Sequence, residues 1–84
     1  MTPLVLDLST KSRKYLETLN ENQRKQILIR IEKLLENPKP QNSGYLTMQP
    51  GCRKLRIGDY RAIYKVTTSD IYILAIGQRG WVYE

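Results

Sequence analysis

At 84 residues the chain has room for one domain and not two, and a chain of this size buries only about 60% of its unfolded surface. Hydrophobic residues make up 40% and charged residues 26%, the balance of a folded domain rather than a disordered tail. Fourteen Lys and Arg against eight Asp and Glu give a net charge of +6, which favours an acidic partner. The lone Cys52 excludes an internal disulfide, and no histidine is present to move protons near neutral pH.

Pro3–Leu8 (PLVLDL) is short, apolar and partly alternating, which predicts a strand. Ser9 or Thr10 is placed to cap a first helix with Tyr15, Leu16 and Leu19 on one side. Asn20 followed by Gln23 has the form of a capping box. The helix it opens carries Ile27, Leu28, Ile31, Leu34 and Leu35, spaced as one buried stripe. Asn37-Pro38 stops that helix, because the residue before proline is pushed out of the helical region.

Lys39–Gly44 (KPQNSG) reads as a polar connector. Strands are expected at Arg53–Ile57, Tyr60–Val66 and Ile71–Ile76, with Trp81–Tyr83 as a last short piece. The order predicts a single α+β domain over residues 1–84: an N-terminal strand, a two-helix hairpin, then an antiparallel meander. The helices would cover one face of the sheet and leave the other open. No apolar run approaches the roughly 18 residues of a membrane span, and the N-terminus lacks the order of a signal peptide. A cytoplasmic protein without membrane contact is expected.

The stretch KLRIGDYRAIY carries the chemistry. Gly58-Asp59 suits a two-residue type II′ turn, and closing it sets Ile57 against Tyr60, Arg56 against Arg61, Leu55 against Ala62 and Lys54 against Ile63. Leu55, Ile57, Ala62, Tyr64 and Val66, with Ile71, Ile73 and Ala75 beside them, then form the core face. Lys54, Arg56 and Arg61 share the other face. Like charges directly opposite each other destabilise a sheet, and a bound polyanion would relieve them. From Ile71, strict alternation would aim Arg79 at the core; a bulge at Gly77 would re-aim Arg79 and Tyr83 towards the other cations. An aromatic beside arginines is a common way to hold single-stranded RNA. Trp81 reads first as end-of-sheet packing, with substrate contact as the alternative.

Cleaving RNA through its own 2′-hydroxyl needs a base, charge stabilisation at phosphorus and help for the leaving oxygen. Arginine cannot realistically be the base. A lysine, ordinarily near about 10.4, could serve where neighbouring cations favour its neutral form, and Lys54 stands beside two arginines.

These segments resemble the RelE/ParE superfamily of toxin–antitoxin systems, closest to its RelE-type messenger-RNA interferases. The likeness covers nearly the whole chain: the strand–helix–helix start, the LLENP helix end, RKLRIGDYRAIYKV and IYILAIGQRGWVY. The resemblance implies a RelE-like microbial ribonuclease-type fold. It also implies a metal-independent, cofactor-free endoribonuclease that cuts messenger RNA in the ribosomal A site. Lys54 and Arg56 match the family's base and charge stabiliser. Arg61 matches the arginine that holds the scissile phosphate, Arg79 the group at the leaving oxygen, and Tyr83 the tyrosine that stacks on a base. Arg53 and Trp81 are candidate further substrate contacts, and Gln78 replaces a frequent histidine or lysine. A cognate acidic, RelB-like antitoxin is implied, through which the complex would bind operator DNA. The alternatives are a non-nucleolytic ParE-like toxin acting on DNA gyrase and a degenerate nucleic-acid-binding member of the fold.

Overall fold

A computed structural model describes residues 4–41, 43–45 and 51–80. Its elements are β1 (Val5–Leu8), α1 (Thr10–Glu17), α2 (Glu21–Glu32) with a 3-10 turn at Lys33–Leu35, β2 (Ser43–Tyr45), β3 (Cys52–Ile57), β4 (Tyr60–Val66) and β5 (Asp70–Gln78). They build one five-stranded sheet in the order β1-β5-β4-β3-β2. The meander is antiparallel, whereas β1 runs parallel to β5, with Leu6 beside Ile71 and Leu8 beside Ile73. This is the expected α+β layout, with one addition: the end of the connector conceals β2, whose Ser-Gly-Tyr sequence has no apolar alternation. The strand expected at Trp81–Tyr83 lies outside the described residues.

Both helix starts follow from their caps. Ser9 accepts from the Ser12 amide, while Asn20 and Gln23 form the full capping box at 2.8 and 3.2 Å. Arg24 then reaches back to the carbonyls of Leu16 and Leu19 where α1 ends, a favourable end for a cation. Leu16, Ile27, Ile31 and Leu34 pack on Leu55, Ile57, Ala62, Tyr64, Ile71, Ile73 and Ile76. Leu35 departs from the predicted stripe. The 3-10 turn rotates it outward, and it is 38% exposed.

The sheet's second face is not open along its length. Cys52 and Ile63 are buried there with Leu74 against them, a small apolar cluster of its own. Ala75 also belongs to that side, opposite Ile63, and not to the helix-covered core. The reason is a bulge. Ile63 pairs with Ala75 and Tyr64 with Ile73, so Leu74 is the extra residue. The irregularity expected at Gly77 therefore occurs three positions earlier.

The start of α1 holds that bulge. Beyond Leu8, β1 no longer covers β5, and Ser9 takes its place. The Ser9 amide donates to the Ile73 carbonyl at 2.9 Å, the Ser9 hydroxyl donates to the Leu74 carbonyl at 2.6 Å, and the fully buried Ser12 hydroxyl donates to Ile73 at 3.0 Å. Ser9→Ala removes both a helix cap and the side-chain donor to Leu74, and should cost about 2 kcal/mol. Ser12→Ala should cost about 1 kcal/mol, since Ile73 keeps the Ser9 amide. Urea unfolding of the two variants checks the order; equal losses would mean that the bulge does not depend on Ser9.

Tyr15 gives a second expectation. Burial, and then the nearby Tyr60 phenol, push its hydroxyl above its ordinary 10.0. The folded state therefore keeps this proton at pH values where the unfolded chain loses it. The contribution is intact below about pH 10 and is lost as the pH rises further. Tyr15→Phe should show a smaller fall in unfolding midpoint between pH 9 and 11 than the parent.

Candidate nucleic-acid interface

The hairpin that carries the cations closes as its sequence demands. Gly58 has φ +57°, and no described non-glycine residue has a positive φ, so Asp59 does not share the left-handed region. That combination is a type II′ turn and not I′. The register is the expected one: Ile57 opposite Tyr60, Arg56 opposite Arg61, Leu55 opposite Ala62 and Lys54 opposite Ile63.

Within this register the two facing arginines occupy different environments. Arg56 is exposed, whereas Arg61 is only 5% exposed. Arg61 folds back on its own turn, its Nη1 donating to the Gly58 carbonyl at 2.9 Å and to the Tyr60 carbonyl at 2.8 Å. Two backbone dipoles thus compensate part of a guanidinium that would otherwise be costly to bury. Its partner on β5 is Gly77, which has no side chain to contest the space.

Lys54 and Arg56 border a shallow concavity of about 330 Å³ with Gln41, Ser43 and Gly44 of the connector and β2. The bulge shifts β5 by one residue, so that Gly77 faces Arg61. Arg79 lies in the turn just past β5, and its amide donates to the Asp59 carbonyl at 2.7 Å, fixing the end of β5 to the hairpin tip. Lys54, Arg56 and Arg61 thus share one face by register, with the Arg79 backbone beside the hairpin tip. Tyr83 and Trp81 lie outside the described residues.

Arg53 does not join this group. It pairs with Tyr64 on the helix-covered face, where its Nε donates to the Tyr64 hydroxyl at 3.3 Å and its Nη2 to the Ser43 hydroxyl at 2.9 Å. Tyr64 in turn donates to the Pro38 carbonyl at 2.7 Å. This chain of bonds holds the connector and β2 against the sheet. Alternation along β3 puts Arg53 and Lys54 on opposite sides, which argues against Arg53 as a substrate contact.

Arg79 also borders a groove between α1 and the uncovered end of β5, where it meets Lys11, Lys14, Tyr15 and Thr18. The sequence reading passed over these lysines. Their signal is the spacing 11, 14, 15, 18, a second stripe along α1 beside the buried one at Ser12 and Leu16.

A family model described as the ParE toxin of the type II toxin-antitoxin system, parDE, matches residues 2–83. No curated protein matches the chain. Among solved structures, the archaeal RelE–RelB complex from Pyrococcus horikoshii superposes with a TM-score of 0.80 at 24% identity, over 94% of this chain and 98% of that one. The intact RelBE toxin-antitoxin complex of E. coli gives 0.75 at 25% identity, over 93% and 99%. The chromosomal ParDE system of P. aeruginosa gives 0.75 at 19% identity, over 90% and 96%. The family match spans nearly all of the chain, and the strand–helix–helix–meander architecture agrees with it: the chain belongs to the ParE toxin family of type II toxin–antitoxin systems, within the RelE/ParE superfamily.

Proposed function

We propose that this toxin is an endoribonuclease that cuts messenger RNA in the ribosomal A site and so stops translation. The observation that carries the reading is the cross-strand placement of Arg56 against Arg61, with Lys54 two residues along the same face. In the proposed reaction Lys54 takes the proton of the ribose 2′-hydroxyl, whose oxygen attacks the adjacent phosphorus. The bond from phosphorus to the 5′-oxygen breaks, leaving a 2′,3′-cyclic phosphate and a 5′-hydroxyl. Arg56 and Arg61 bear the charge that grows on the phosphoryl oxygens. Arg79 stabilises or protonates the departing oxygen, and Tyr83 stacks on the neighbouring base.

The relatives from P. horikoshii and E. coli are complexes of RelE with RelB. By that likeness, and because the net charge is +6, the proposed partner is an acidic antitoxin that also carries the complex to operator DNA. A second reading, a ParE-like toxin directed at DNA gyrase, is favoured by the description of the matching family.

Arg79→Ala and Lys54→Ala are the informative variants. Each should slow cleavage at least about 100-fold while the folded chain keeps its stability. Arg61→Ala should fail twice, because it also releases two carbonyl contacts at the turn, with a loss of about 1–3 kcal/mol. Primer extension on translated messenger RNA reads the activity. Breaks within codons that disappear in Arg79→Ala support the nuclease; intact messenger RNA with gyrase-linked DNA breaks would replace it with the second reading.

A further inference from the structure

The outer side of α2 has no part in the chemistry above. A helix lying on a sheet needs one buried stripe, and Ile27, Ile31 and the following Leu34 supply it. Ile29 lies off that stripe and is 46% exposed, and Leu35, turned outward by the 3-10 turn, is exposed as well. With half-buried Leu6 and Leu28 they line two adjoining shallow concavities that meet at Ile29 and Glu32.

The charges around this strip are balanced, unlike those of the chain as a whole. Glu21, Glu32 and Glu36 border it with Arg24, Lys25 and Lys33, three acids to three bases, whereas the whole chain has eight to fourteen. An acidic partner gains no net attraction from a neutral strip. Two chains of +6, by contrast, repel each other least where each surface is neutral. The order of the charges is also self-complementary. Lys25 and Glu32 stand seven residues apart, two turns along one helix face, with Leu28 and Ile29 between them. A two-fold axis sets a second α2 antiparallel to the first. Lys25 of each copy then meets Glu32 of the other, and Leu28 and Ile29 meet at the axis.

We infer that two copies of this chain associate through the outer side of α2 as a two-fold dimer. Lys54, Arg56 and Arg61 lie across the sheet from the contact, so both cationic faces stay outward. The α2 helix is only about 18 Å long, too short to bury the roughly 1,200 Å² of a stable interface. The dimer is therefore weak and forms at micromolar concentrations.

Sedimentation equilibrium of the purified chain tests this. The mean mass should rise from one chain towards two, with a midpoint at about 10–100 μM. Ile29→Gln, at an exposed position, should leave the thermal midpoint of the dilute chain unchanged and abolish the rise. Lys25→Glu places like charges at both ends of the contact and should weaken association about tenfold, as should Glu32→Lys. The two changes together restore opposite charges and should return the parent's midpoint. A mass that stays at one chain up to about 1 mM overturns the dimer. Association that survives Ile29→Gln, or a double reversal as weak as either single one, overturns this face and register. A parent that stays a single chain but binds polyglutamate through Lys25 gives the strip to an acidic protein and overturns the dimer too. These masses are read without RNA, so their outcome is separate from that of the cleavage experiment.

Discussion

The site's geometry depends on the hydrogen bonds from the start of α1 to the bulge in β5. Ser9 and Ser12 direct an amide and two hydroxyls at the carbonyls of Ile73 and Leu74. β1 has ended by this point, so those carbonyls would otherwise be strand-edge acceptors without a partner. Satisfying them from a helix cap lets Leu74 stand as an extra residue. Everything after it is displaced by one place. Ile76 joins the helix-covered core and Gly77 comes opposite Arg61. One cap thus settles both which residue completes the core and what faces the buried arginine.

A second consequence concerns how positive charge is accommodated in a small domain. Arg56 and Arg61 are held opposite each other by the hairpin, and the repulsion is divided unequally. Arg56 is exposed. Arg61 is buried and takes its compensation from the Gly58 and Tyr60 carbonyls, which the type II′ turn presents to it. These carbonyl contacts reduce the cost of burial and fix the direction of the guanidinium at the same time.

Much of this was legible in the sequence, for reasons that can be named. The Gly58-Asp59 pair admits one tight hairpin, so four cross-strand pairs follow by counting. Asn20 with Gln23 writes its cap into residues three apart, whereas the helix expected to run to Asn37-Pro38 ends as α-helix at Glu32 and tightens into the 3-10 turn at Lys33–Leu35. The bulge was illegible because Ile73, Leu74, Ala75 and Ile76 are all apolar. Such a run has no period, and any phase fits it equally well. The same lack of contrast misassigned Ala75. Ser43–Tyr45 was missed because a three-residue edge strand is held by its neighbours, here through Arg53 to Ser43 and Tyr64 to Pro38. Lys11 and Lys14 were passed over because nothing in their spacing shows that the fold sets Arg79 beside them.

The parallel pairing of β1 with β5 joins the first described strand to the last, with both helices and the other strands between them. A parallel ladder of this separation closes late, since its loop entropy must be met before the contact gives anything back. During synthesis, β1 and α1 have no sheet to rest on until β5 has left the ribosome. The bulge in β5 cannot form earlier either. A growing chain can set Arg56 against Arg61 as soon as the hairpin closes, but Gly77 and the α1 caps take their places around that pair only after β5 has emerged.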